Sequence, residues 1–286
     1  MIKSFKSKII SIRNQKGSII TLIALFLLIL ENYRKHIAFY SGSDVSMMVY
    51  PMKLILMSIN NVHGYSGEFM LFMYLFPVLA VLPAGFSFLE EHMTGEEAYL
   101  KLRMGHKRYI MGKLRDAFFT TTIVFLIPLL LDIFVTAATF PMSALGDQID
   151  FGIYSKEYES QLNSYLFKDF FLSSPLLYTI LYALLISMFA GLLGMLTVSI
   201  SYCRPPKFRV ILFLPVFLML NLTMYFDSYL GRPEGIRYFW YEYFFVFGEY
   251  RKSKAYIPIV FLLLIAATAL FTFIGSKRSK NGCGIQ

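Results

Sequence analysis

Two glycines bracket a basic run at Gly105-His-Lys-Arg-Tyr-Ile-Met-Gly112-Lys113. Glycines beside a lysine are what a phosphate loop uses: unobstructed backbone N–H groups and an ammonium for the phosphates. Here six residues separate the glycines where such a loop has four, and Leu114 stands where Ser or Thr would hold Mg²⁺. We read no nucleotide site in the chain. The four histidines, His36, His63, His92 and His106, include no pair at helical ligand spacing. Cys203 and Cys283 have no neighbours at metal-ligand spacing, and no disulfide between them is expected. Asp132 is different, because it lies inside an apolar run. An acid in a membrane helix is a functional candidate by default, although its place toward one end also lets it reach a polar neighbour.

The elements that must position these residues are membrane helices. Of 286 residues, 57% are hydrophobic and 16% charged, against about 25% charged in a soluble domain. Mean hydropathy is +0.58. A hydrocarbon core of roughly 30 Å takes about 20 helical residues to cross. Runs 69–89, 117–140, 173–201, 210–226 and 256–275 qualify. A sixth, Gly17–Leu30, serves if its helix continues to about residue 33. It follows a basic start, as a signal peptide would, but no small-x-small cleavage site follows it. The expectation is a single all-α transmembrane domain over 1–286 with six spans, at about 17–33 and the five runs above.

Orientation follows from the basic residues. With the amino terminus inside, segments 1–16, 90–116, 202–209 and 276–286 are cytoplasmic and hold 17 of the 27 Lys and Arg. The longer outer segments, 31–68, 141–172 and 227–255, hold 10 of them and 12 of the 18 acids. The net charge of +9 is therefore a topology signal. Nucleic acid is not an expected partner, because no basic stripe interleaved with aromatics stands on a soluble module. The predicted topology is multi-pass with both termini in the cytoplasm.

Residues 2–16 place Ile2, Phe5, Ile9 and Ile12 at spacings of three and four among lysines, which predicts an amphipathic helix in the inner headgroup layer. In the first outer segment, Met47–Ile59 is moderately apolar and interrupted by Pro51 and Lys53; it reads as an outer-surface or re-entrant helix. The second outer segment is polar and reads as an exposed cap or loop. The third, 227–255, contains RYFWYEYFFVFGEYRK, read as a half-inserted helix pair or an aromatic belt. Ala183, Ser187 and Gly191 recur every four residues, with Ala190 and Gly194 beside them. This spacing predicts close helix packing, within the chain or against a partner.

The longest charged stretch is 90–116, between the second and third spans. It opens with Glu90, Glu91, Glu96 and Glu97 and continues with Lys101, Arg103, Lys107, Arg108, Lys113 and Arg115. Acids at the amino end and bases toward the carboxyl end suit a helix dipole over 90–104, and Glu97 and Lys101 form an i,i+4 pair in the favoured order. A turn needs far fewer residues, so the stretch reads as a coupling segment that something touches, or as a solvated surface helix.

At this point the order of parts resembles a type-2 ABC exporter permease: an interfacial start, six spans and a long cytoplasmic insert between the second and third. The resemblance is sharpest in the insert, with Glu90 or Glu91 past the span, then Gly95, then Arg108-Tyr109-Ile110-Met111-Gly112-Lys113. The aromatic segment before the last span is similar to that family's outer re-entrant helices, while the two long earlier outer segments depart from its pattern. The resemblance implies a non-enzymatic transport subunit that binds no cofactor. ATP and Mg would be held by two cytoplasmic ABC ATPase subunits. It implies a bacterial cytoplasmic membrane as the location, a second permease, identical or related, surrounding membrane lipid, and coupling through Glu90, Glu91, Gly95, Glu96, Arg103, Arg108, Tyr109, Gly112 and Lys113.

Cargo would then follow the seam between two permeases. Met70, Met73 and Phe76 on the second span, Asp132, and Met219, Asn221 and Thr223 on the fifth are the expected lining, since Met and aromatic surfaces adapt to varied apolar partners. The implied cargo is amphipathic or hydrophobic: a peptide, lipid or drug-like molecule. Lipid contact or core packing is the competing role for each residue. A standalone channel, a sensor or anchoring subunit, or an intramembrane enzyme using Asp132 are the competing readings of the chain.

Overall fold

The computed structural model describes residues 16–45, 48–58, 67–142, 165–204, 208–229, 238–246 and 252–282. The described residues are helical, with irregular connections. They form α1 (Lys16–Tyr40), α2 (Gly67–Thr94), α3 (Glu96–Met104), α4 (His106–Thr139), α5 (Lys168–Ser173), α6 (Pro175–Cys203), α7 (Leu214–Tyr229), α8 (Trp240–Phe244) and α9 (Tyr256–Gly282), plus short 3-10 turns at Pro51–Lys53 and Arg209–Leu212. Helices α1, α2, α4, α6 and α9 are long and apolar enough to cross a membrane. The amphipathic start, most of 141–172 and much of 227–255 lie outside the described residues.

The long helices share two ends. At one end Tyr202 pairs with His106 Nε2, and Arg278 donates to the Cys203 carbonyl at 3.5 Å. We call this the elbow end. At the other, the cap end, Tyr33 and Thr139 hydroxyls lie 2.7 Å apart, Lys35 pairs with Glu68, and the rings of Tyr243 and Tyr256 stack at 3.9 Å. The chain therefore changes ends between Arg204 and Tyr238. The described residues of helix α7 occupy part of that route with 16 residues, about 24 Å, which is short of a full hydrocarbon crossing. Among the described residues five helices are long and apolar enough to cross a membrane, where six spans were expected, and the described part of α7 is the short one.

Helix α6 is the hub, packing most extensively on α4 and then on α9. Its small residues explain the first contact. A Cβ built on Gly191 would stand 2.3 Å from Thr122 Oγ1 and 2.8 Å from the Phe118 carbonyl, so only glycine admits the α4 backbone there. The small-residue spacing thus serves a helix of the same chain. Hydroxyls inside α6 close on their own helix: Ser187 donates to the Ala183 carbonyl at 2.6 Å and Thr197 to that of Leu193 at 2.9 Å. These two hydroxyls therefore place no polar demand on neighbouring helices.

Toward the cap end the bundle is filled by rings. Phe76 stacks on the chain's single tryptophan, Trp240, at 4.9 Å and also meets Phe125 and Phe189. Phe189 stacks on Phe244 at 3.9 Å. The aromatic segment before α9 is therefore, over 238–246, part of the core.

The stretch predicted as an outer helix at Met47–Ile59 is, over its described residues 48–58, an irregular buried strip with one 3-10 turn. Pro51 opens that turn, and three outside groups then satisfy backbone that a helix would have paired internally. Asn32 Nδ2 donates to the Leu54 carbonyl at 2.9 Å, the Leu56 N–H donates to Asp132 Oδ2 at 2.8 Å, and the Val246 N–H donates to the Met57 carbonyl at 3.1 Å.

Candidate functional site: the elbow between α2 and α4

Helical hydrogen bonding outlasts the apolar runs on both sides of the charged stretch. Helix α2 continues to Thr94 and α4 begins at His106, so only α3 remains between them. Two glycines make the corners: Gly95 has φ 77° and Gly105 φ 80°, a backbone region that side chains disfavour. A nine-residue helix is set off as a discrete lever between two long ones.

The inner face of the elbow is a polar knot. Glu91 accepts a hydrogen bond from the Tyr109 hydroxyl at 2.9 Å and forms an ion pair with Lys113, joining α2 to α4. Glu97, only 8% exposed, accepts from Lys101 Nζ at 2.5 Å and from His92 Nδ1 at 2.5 Å, joining α3 to α2. Burial raises the Glu97 pKa, but the hydrogen bonds from Lys101 and His92 outweigh it and hold the carboxyl below its ordinary value. Lys101 Nζ also stands 5.4 Å over the Tyr202 ring of α6, whose hydroxyl pairs with His106. A cavity of about 270 Å³ lies against this knot, bordered by Phe88, Glu97, Tyr202 and Arg278.

The outer face is free. Glu96, Tyr99 and Arg103 share one side of α3, with Leu102 beside them; all four are exposed, Leu102 at 87% and Tyr99 at 65%. Met93 and Met104 are exposed at the two corners, and Glu90 and Arg108 are exposed nearby. Apolar side chains this open on a short charged helix contribute little to the packing of the described residues.

The nine predicted coupling residues thus separate by role. Glu91, Tyr109 and Lys113 hold the elbow together; Gly95 turns it; Glu90, Glu96, Arg103 and Arg108 face outward. Gly112 lies within α4, and a Cβ there would meet nothing within 4 Å, so packing does not require glycine at that position. Tyr99, Leu102, His92 and Tyr202 complete the region. Tyr99 and Leu102 belong to no motif in the sequence, and Tyr202 is about a hundred residues away with no local signal.

The predicted cargo-path residues are not gathered into one channel wall. Met73 and Phe76 are packed in the core, and Met70 is half-buried against it. Asp132 is 1% exposed beneath the strip at Leu56. Met219, Asn221 and Thr223 are half-buried on α7; Asn221 donates to the Phe217 carbonyl at 2.8 Å and Thr223 to that of Leu220 at 2.6 Å. Among the described residues no three His, Cys, Asp or Glu converge as a metal site would require. No family model, curated protein or solved structure matches the chain.

Proposed function

We propose that this chain is the membrane-spanning subunit of an ATP-driven exporter of the type-2 ABC kind, moving amphipathic or hydrophobic cargo out of a bacterial cytoplasm. Two such permeases, identical or related, would pair and be driven by two separate ATPase subunits docked at the elbow. The sixth crossing would be completed around α7, and the aromatic segment after it would be the half-inserted outer element.

The observation that carries this reading is the two-sided character of α3. Its inner face is fixed to α2 and α6 by Glu97 and Lys101, while Tyr99 and Leu102 stand open to solvent. Ion-pair attachment to the bundle behind and apolar plus charged groups in front are what a lever needs to receive force from a partner. Tyr and Arg at the centre of such a patch are typical binding hot spots. Excess basic charge in the elbow segment favours its cytoplasmic placement.

The test is purification of the tagged full-length chain from its own host's membranes, with mass spectrometry of what accompanies it. A stoichiometric ATPase containing a phosphate loop is the expected companion. Leu102→Glu together with Tyr99→Ala should cut its recovery by roughly tenfold or more, the loss expected for two central hot spots, at unchanged membrane yield. Recovery of the chain without any ATPase, as a standalone channel or sensor would behave, sinks the proposal.

A further inference from the structure

Helices α4 and α9 both pack on α6 but have little contact with each other. At the elbow end this leaves a cleft of about 800 Å³ with α6 as its floor. One wall is a stripe of α4 at helical spacing, Lys107, Met111, Leu114, Arg115 and Phe118; the other is α9 from Ile265 to Ser276. The floor includes Leu192 and Met195. The interior is apolar, while bases stand at its edge.

The charges identify the occupant. Lys107 and Arg115 are exposed and form no ion pair with any described residue. Lys277 Nζ adds a third base 6.0 Å over the ring of Phe273, which lines the α9 wall. No acid among the described residues lines the cleft: Asp116 is adjacent to Arg115 in sequence but is not a lining residue, Glu97 is engaged by Lys101 and His92, and Glu91 by Lys113 and Tyr109. Arg115 is two turns beyond Lys107, about 12 Å along the axis. Two open bases spaced along the edge of an apolar cleft suit an anion between them, and acyl chains match the apolar walls. Basic clefts between membrane helices on the cytoplasmic side suit anionic lipid headgroups.

We propose that the α4–α6–α9 cleft seats an anionic phospholipid, its phosphate between Lys107 and Arg115 and its acyl chains against α6 and α9. The proposal rests on the functional reading above only for naming the inner leaflet; it needs no ATPase, so loss of coupling leaves it standing.

The full-length chain, reconstituted in bilayers of equal phosphatidylglycerol and phosphatidylcholine and released into detergent, should retain phosphatidylglycerol preferentially by native mass spectrometry. Lys107→Ala with Arg115→Ala should reduce that preference about tenfold or more, two surface bases being removed, whereas Arg34→Ala, an exposed base at the cap end, should leave it. A conservative pair, Lys107→Arg with Arg115→Lys, should keep it and so separates lost charge from lost folding. Equal retention of the two lipids by the unaltered chain, or an undiminished preference in the double alanine variant, overturns the proposal. So does efficient cross-linking of Met111→Cys between two copies, in a Cys203→Ser, Cys283→Ser background, which would make the cleft a subunit interface. Cross-linking of Met111→Cys to Ile9→Cys in the same chain would assign it to the amphipathic start instead.

Discussion

The two ends of the bundle solve the same problem, joining long helices, by opposite means. At the cap end the connection dips back into the apolar interior. The strip at 48–58 is buried, rings from four elements meet around Phe76, and the strip's backbone is tied to Asn32, Asp132 and Val246 by single hydrogen bonds. Lys53 and Lys252 are buried there, and burial pushes both amines down, Lys53 to about 8. At the elbow end the connection stays outside, held by carboxylate–amine pairs that water reaches. An apolar junction resists deformation because any movement opens a void. A junction of partly solvated pairs can shift and re-form at small cost. The molecule is thus stiff at one end and adjustable at the other, which is the arrangement a subunit moved through α3 would need.

The comparison breaks most readily at Phe76. Removing that ring opens a hole between Trp240, Phe125 and Phe189, and Phe76→Ala should cost about 3–5 kcal/mol. Thermal unfolding in detergent reads the loss directly. A loss below that of the elbow variants would mean that the rings fill space without fixing the cap end. Asp132→Ala comes next. It leaves the Leu56 N–H buried without its acceptor, a loss of about 1–3 kcal/mol. Asp132→Asn keeps a carbonyl oxygen there and should cost less. If both variants melt alike, the strip is held by its apolar residues and Asp132 has another task.

Much of this division could be read from residue types, and its failures have physical causes. The five long helices follow from uninterrupted apolar runs, and Ala183, Ser187 and Gly191 correctly announce a close helix contact. Helix ends were misplaced because charged residues such as Glu90, Glu91 and Lys113 extend a helix as readily as they end one; hydrogen bonding runs on after hydropathy changes. The strip reads as a helix in the sequence because its stabilising partners, Asn32, Asp132 and Val246, are far away along the chain. The elbow's location was evident from its charge, and the Glu97–Lys101 pair from its spacing. Which charges face inward was not, since that depends on Tyr202 and the Gly95 and Gly105 corners acting together.

The smallest effect tests whether charge or packing holds the lever. The Glu97 carboxyl has a lower pKa in the folded chain than its ordinary value near 4.5, despite burial, because Lys101 and His92 hydrogen-bond its ionised form. A group shifted down binds protons less well folded than unfolded. Its contribution is therefore fully present above about pH 5 and is lost as pH falls through the folded value. Unaltered chain should lose α3 protection in hydrogen exchange between about pH 5 and pH 3. Glu97→Gln should start with weaker protection at neutral pH, by less than about 1 kcal/mol, and change little across that range. The two should converge at the acid end, where both side chains are neutral. Parallel acid profiles in the two proteins would show that α3 is positioned by Leu100 and the glycine corners alone, and the polar knot would lose its role in the adjustable end.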